Sequence, residues 1–376
     1  MLATRLDPDP PDARAAAWWP YAEGAQRTPV AAHAGGTWSS DAAKKRRAAM
    51  KRLILFATIA LTVAALPGTS GTAAAADAVS LRLNWYLGGL HAPFYLGVQR
   101  GYYRDEGIDL TINEGRGSPA SVQIVGAKGD TFGMADAGSL MLGATKGVPI
   151  RAVFSLLSSS DFGIISLEET GIKTPKDLEG KSVAGTSGDG PTALFPAVCE
   201  TNGVSKDKVR VVFMDPPAKP AAVMEKKVDA LLGGASDQYW LIKYKGFKPT
   251  ILKYADIGVD TIGMTIAAHT DTLKEKPDLV RRFVKATIRS WAAAQKDPAA
   301  AVQAALKVKS DLNAASTQDQ LQTNLSELFS KNSQGKSIGY SAPQDWEHTM
   351  ELLKKYRDLQ TDKPASFFYT NDFIPN

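Results

Sequence analysis

Asn84, Trp85, Tyr86 and His91 put an amide, an indole, a phenol and an imidazole into one short stretch. Such a set suits the cradling of a flat polar ring. The amide offers two donors and an acceptor, and a stacked aromatic adds about 0.5–1.5 kcal/mol beyond area burial. The stretch follows the alternation Leu81-Arg82-Leu83 and precedes Gly88-Gly89, so it sits where a strand ends. The alternation puts Trp85 and Tyr86 on opposite faces. One ring would then meet a ligand while the other filled the sheet edge. His91 either donates to a ligand or holds the turn, and Asn84 either reads a polar edge or caps that turn. No second histidine lies nearby in sequence, so a metal site has little support.

Four further places carry usable groups. Gly117-Ser118 precedes Pro119, and backbone N–H groups with a hydroxyl at a helix start can hold an anion or a carbonyl; an ordinary N-cap is the plainer reading. Asp136 ends an apolar run and could accept from an amine or cap the next helix. Thr186-Ser187 repeats the helix-start chemistry further along. Asp189 and Asp237 would place acidic groups at the same mouth. Acidic groups there disfavour a strong anion and favour an amino-bearing ring, whereas Arg116 argues for an anion. Two familiar patterns fail. Gly115 to Ala120 fits the loose dinucleotide fingerprint, but Pro119 already explains the turn. Gly180-Lys181-Ser182 lacks the phosphate-loop glycine, because Pro175 stands there.

The elements that position these groups alternate. After Leu81 the pattern predicts a helix from Ala92 to Tyr103 and a strand over Ile108–Asn113. A helix from Ser118 and strands at Thr131–Ala135, Val148–Leu157 and Phe162–Leu167 follow. Strands are next expected at Ser182–Ala184, Val209–Phe213, Val228–Leu232, Thr250–Tyr254 and Thr261–Ala267. Helices are expected over Pro277–Lys296, Pro298–Val308, Thr317–Ser330 and Pro343–Leu359. Trp291 and Trp346, in those late helices, read as packing residues. Strand–helix alternation implies an α/β protein with mostly parallel sheets flanked by helices. Apolar crossings near 162–167 and 261–267 imply one lobe inserted in the other, with lobe one at 79–165 and 262–376 and lobe two at 166–261.

The chain has 376 residues and a net charge of +5. Residues 1–49 read as a leader of wrongly assigned start or disordered character. Met50 then opens a signal peptide over 50–76, with Lys51-Arg52 before the apolar run Leu53–Leu66 and cleavage expected after Ala76 or Ala78. That run is shorter than the roughly 20 residues of a membrane span. Without residues 1–76 the chain holds 35 Lys+Arg against 34 Asp+Glu. The basic balance is therefore a leader property and says nothing of nucleic acid. Cys199 is the only cysteine, which excludes an intrachain disulfide and a cysteine-based metal site; it reads as a buried apolar residue.

The run NWYLGGLHAPFYLGVQRGYYRDEGIDL resembles the substrate-binding proteins of the nitrate, sulfonate, taurine and thiamine-pyrimidine-precursor ABC importers. GSPASVQIVGAKGDTFGMAD, TPKDLEGKSVAGTSGDG and VDALLGGASDQ fit the same group. The resemblance implies a two-lobe type II periplasmic binding fold and export to the periplasm. It also implies delivery of a small-molecule ligand to an ABC permease in the inner membrane, with no catalysis, no cofactor and no nucleic acid. Asn84-Trp85 with His91 looks most similar to the pyrimidine-precursor branch. The expected protein is a monomer that closes on a small polar heterocycle through Asn84, Trp85, Tyr86, His91, Gly117, Ser118, Asp136, Thr186, Ser187, Asp189 and Asp237. An anion-binding member of the family and a pyrimidine-synthase-like enzyme are the alternatives.

Overall fold

The structure is a computed structural model that describes residues 75–375. The expected leader at 1–49 and all but the last two residues of the expected signal at 50–76 lie outside them. The first sheet is built from β1 (Asp77–Arg82), β2 (Ile108–Asn113), β3 (Phe132–Asp136) and β4 (Ile150–Ser155). The second is built from β5 (Phe162–Leu167), β6 (Ser182–Gly185), β7 (Arg210–Phe213), β8 (Ala230–Gly234) and β9 (Pro249–Lys253). A last strand, β10 (Met264–His269), returns to the first sheet. The orders are β2-β1-β3-β10-β4 and β7-β6-β8-β5-β9. Each sheet therefore has four strands running one way and one crossing strand, β10 or β5, antiparallel to both its neighbours.

The crossing strands correct the expected lobe limits. The expected limit of lobe one at 165 leaves most of Phe162–Leu167 in that lobe, but the strand pairs with β8 and β9 in the second sheet. The chain leaves the first sheet between β4 and β5, over 156–161, and re-enters it at β10. An apolar strand carries no sequence mark of which sheet it joins, and only the ladder partners decide it.

Helices cover both sheets because each parallel connection must cross a face. Helix Pro277–Lys296 lies on the first sheet, where Phe283 stacks on Phe132 of β3 with ring centroids 3.8 Å apart. Trp291 and Trp346 are fully buried, as their packing reading required. Helix Pro343–Tyr356 joins the lobes, packing on helices Ala137–Thr145 and Gly190–Thr201 within one apolar cluster. The helix expected from Thr317 begins at Ala314, because the Asn313 side chain accepts the Ser316 N–H at 2.8 Å and caps it there. Cys199 is buried, as expected for an apolar filler. Among the described residues no helix is long and apolar enough to cross a membrane.

Helix Ala92–Gln99 carries the first cleft segment and is held close to helix Pro277–Lys296. A Cβ on Gly97 would lie 1.9 Å from Ser290 Oγ and 2.8 Å from its Cβ. Gly97→Ala must therefore push the two helices apart. We expect a loss of about 1–3 kcal/mol in urea unfolding; an unchanged midpoint would show that the contact yields freely.

Candidate ligand-binding cleft

Ligands of open α/β sheets collect beyond the carboxyl ends of the strands, and here two such edges face each other. Between them lies an inner chamber of about 170 Å³. It opens into an outer chamber of about 450 Å³ that shares Trp85, Tyr86, Asp237, Gln238 and Gln320 with it.

The wall of the first lobe grows from the end of β1. Residues 84–88 bend instead of continuing the strand, and the backbone anchors them. The Gly117 N–H donates to Asn84 O at 2.7 Å and the Gly115 N–H to Trp85 O at 3.0 Å. A Cβ on Gly115 would sit 1.9 Å from Leu83 O, and Gly117 has φ +110°, so both positions require glycine. The Gly88 N–H donates to His91 Nδ1 at 3.1 Å. The ring's other nitrogen must then carry its proton, and it lies 2.9 Å from Asn84 Oδ1. That bond orients the amide so that its NH2 remains for the chamber. Burial pushes the His91 imidazole down to about 3, against a smaller opposing pull from Glu114. His91 is a neutral positioning residue, and its expected donation to a ligand gives way to holding the turn.

The wall of the second lobe combines the start of β5 with the ends of β6 and β8. Because β5 runs antiparallel, Asp161 and Phe162 at its beginning reach the same edge as Gly233, Gly234 and Asp237 after β8. Asp189 caps helix Gly190–Thr201, accepting the Thr192 N–H at 2.9 Å through Oδ1. Its Oδ2 accepts from Lys219 Nζ at 3.0 Å. Lys219 is only 2 % exposed and also donates to Leu232 O at 2.6 Å. Above the chamber the lobes touch through three bonds. Trp240 Nε1 donates to Thr323 Oγ1 at 2.9 Å, Tyr244 OH to Asp319 Oδ2 at 2.8 Å, and Lys253 Nζ to Glu327 Oε1 at 2.8 Å.

Asn84, Trp85, Tyr86, His91, Gly117, Ser118 and Asp136 line the inner chamber from the first lobe, and Asp189 and Asp237 from the second. Thr186 and Ser187 do not. The Thr186 hydroxyl donates to Met214 O at 2.9 Å and so ties β6 to the segment after β7, while Ser187 is exposed outside the chamber. Both rings of the Trp85–Tyr86 pair border the chamber, edge to face with centroids 5.1 Å apart. The opposite-face expectation failed because the chain bends before the period of two can continue. Ser118 is not the helix cap; Gly117 is, and Ser118 Oγ accepts the Asp136 N–H at 3.0 Å. Asp136 caps the next helix, with Oδ1 accepting the Ser139 N–H at 2.8 Å and Oδ2 the Ser139 hydroxyl at 2.6 Å. Arg116 is exposed and lies outside both chambers.

Sequence reasoning missed Asp161, Phe162, Lys219, Gln238 and Gln320, all of which line the chamber. Asp161-Phe162 stood at the head of a recognised strand, and its antiparallel placement was the absent signal. Gln238 follows Asp237 directly. Lys219 and Gln320 lie in helices Ala218–Met224 and Ala314–Ser326, whose facing partners sequence does not reveal.

The buried imidazole has a pH consequence. The unfolded chain protonates a histidine near pH 6.5 and the folded chain only near 3. The contribution to stability is complete above about 6.5 and is lost as pH falls toward 3, by about 1.4 kcal/mol per pH unit for one proton. Urea unfolding of the native chain and of His91→Gln should diverge by this slope between about pH 6 and about pH 4. Parallel curves would refute the neutral-histidine assignment.

Several known proteins are similar to this chain. The riboflavin-binding protein RibY of Chloroflexus aurantiacus is 25% identical over 79% of this chain and 86% of its own length. A 4-amino-5-hydroxymethyl-2-methylpyrimidine phosphate synthase of Legionella pneumophila is 24% identical over 79% and 92%. The formylaminopyrimidine-binding protein of Halalkalibacterium halodurans is 21% identical over 82% and 94%. Among solved structures, the alkanesulfonate-binding protein SsuA of Xanthomonas axonopodis pv. citri, bound to MOPS, superposes with a TM-score of 0.62 at 15% identity, over 79% of this chain and 99% of its own. That likeness carries the fold, a two-lobe periplasmic-binding-protein architecture. The family described as NMT1/THI5 like matches residues 89–301, more than half of the chain, and to that family the chain belongs.

Proposed function

We propose that this protein is an extracytoplasmic solute-binding protein that captures a small, amino-bearing flat heterocycle, such as a thiamine pyrimidine precursor, and delivers it to an ABC permease. Lobe closure performs the capture. Trp85, Tyr86 and Phe162 supply ring faces, Asn84 supplies amide donors, and the second lobe supplies acceptors. The protein acts as a monomer without cofactor and catalyses no reaction.

The observation that carries this reading is the charge of the inner chamber. Asp136, Asp161, Asp189 and Asp237 border it, and among the described residues its one cation, Lys219, is already held by Asp189. A sulfonate or nitrate would meet carboxylates with no unpaired lining cation to offset them; Arg357, which feels both Asp136 and Asp189 and keeps one buried nitrogen unpaired, is not among the lining residues, and Arg116 stands too far out to help. The relatives named for riboflavin and formylaminopyrimidine support a nitrogen heterocycle. One feature favours a second, larger ligand of the flavin kind: the inner chamber continues past Trp85 and Tyr86 into the outer one.

Calorimetric titration of residues 77–376 with 4-amino-5-hydroxymethyl-2-methylpyrimidine, riboflavin, an alkanesulfonate and nitrate tests the proposal. We expect binding of the aminopyrimidine, weakened about tenfold or more by Trp85→Ala. Binding of the sulfonate or nitrate alone would overturn the reading, and riboflavin alone would favour the larger ligand.

A further inference from the structure

Two of the four chamber carboxylates have both oxygens committed to the fold. Asp136 caps one helix, and Asp189 caps another while holding Lys219. Asp161 Oδ2 accepts from both the N–H and the hydroxyl of Ser236, and its Oδ1 has no hydrogen-bond partner among the described residues. Asp237 is held only by its own chain neighbour. Its Oδ1 accepts the N–H of Gln238 at 2.5 Å, and its Oδ2 has no hydrogen-bond partner among the described residues. The residue is part-exposed and lines both chambers, so its open side faces the cavity.

A second, independent feature lies beside it. Gln238 is 8 % exposed and lines both chambers, and its Oε1 has no hydrogen-bond partner. A buried amide oxygen left unpaired is costly, and a ligand N–H would remove that cost. The oxygen lies against Gly233, where a Cβ would be 1.9 Å away, and has almost no open surface, so a rotation of the amide turns it to a ligand.

We infer that Asp237 meets the ligand as a neutral carboxylic acid. Its O–H donates to a ring nitrogen, its carbonyl oxygen accepts one N–H of the adjacent exocyclic amine, and Gln238 Oε1 accepts the other. This inference rests on the heterocycle reading above and names the edge that is recognised. Geometry supplies the reason for the proton. Asp161 Oδ2 and Asp237 Oδ1 flank one point, 2.8 Å and 2.9 Å from the Cβ that Gly234 lacks, and two carboxylates so placed resist double ionisation. Burial and then the Asp161 charge push Asp237 up to about 7, opposed by the Gln238 N–H and by Lys219. The other titratable groups around the two chambers are Asp136 and neutral His91 of the first lobe, Asp189 beside Lys219, Tyr86, and Tyr244, Lys245 and Asp311 of the outer chamber. A carboxylate in place of the acid would set lone pair against lone pair at the ring nitrogen.

Affinity for an aminopyrimidine should then fall as pH rises above about 7, approaching tenfold per pH unit at the alkaline end. The test is calorimetry with 4-amino-5-hydroxymethyl-2-methylpyrimidine and its N,N-dimethyl analogue from about pH 6 to about pH 9. The unmodified protein should bind the dimethyl analogue at least about tenfold more weakly. Asp237→Leu should lose at least about tenfold. Asp237→Asn keeps one donor and one acceptor, so it should restore binding and abolish the alkaline fall. Affinity independent of pH, equal binding of the dimethyl analogue, or an Asn variant as weak as the Leu variant would overturn the inference and leave the heterocycle reading standing. No binding of the aminopyrimidine by the unmodified protein would overturn both.

Discussion

Each sheet takes one strand in reverse, and the cleft depends on that reversal. Parallel strands bring only their carboxyl ends to the working edge. β5 and β10 enter the opposite way, so their beginnings reach the same edge, and with them come Asp161, Phe162, Gly263 and Met264. The chain thus passes between the lobes and lines the cavity in one movement. The reversal also gives the two sheets one plan, with the crossing strand always between the third and fourth parallel strands.

Polar groups in the cleft divide into those that build it and those left over. Asp136, Asp161 and Asp189 satisfy helix starts and turns, and Lys219 satisfies Asp189 and Leu232. His91 spends both ring nitrogens on Gly88 and Asn84. Those left without a partner include the NH2 of Asn84, one oxygen each of Asp161 and Asp237 and the amide oxygen of Gln238, on opposite walls. Desolvation makes buried polar groups expensive when unpaired, so the residual set, and not the full list of lining residues, describes what a bound molecule must offer.

The lobes meet outside the chamber as well as around it. Trp240, Tyr244 and Lys253 of the second lobe bond to Thr323, Asp319 and Glu327 of the first. Lys355 pairs with Glu200 near the bridging helix, at 2.7 Å between exposed side chains. Exposed pairs of this sort contribute little individually. Under the proposed capture, such weak contacts suit a closure that ligand binding can tip.

The local chemistry was legible in the residues themselves. The strand ending before Asn84, the glycines of the turn, the helix start at Ser118 and the buried late tryptophans all follow from short-range rules of period, φ and capping. Nine of the expected site residues line the chamber for that reason: they sit at β–α junctions, whose place at a sheet edge is set by the alternation alone. Long-range pairing decided the rest. Only the ladder places Phe162–Leu167 in the second sheet, only helix packing turns Lys219 and Gln320 inward, and only the fold divides capping carboxylates from the uncommitted Asp237. A side chain's hydrogen-bond partners are chosen in three dimensions, and residue type with spacing cannot say which acceptors the protein has already filled.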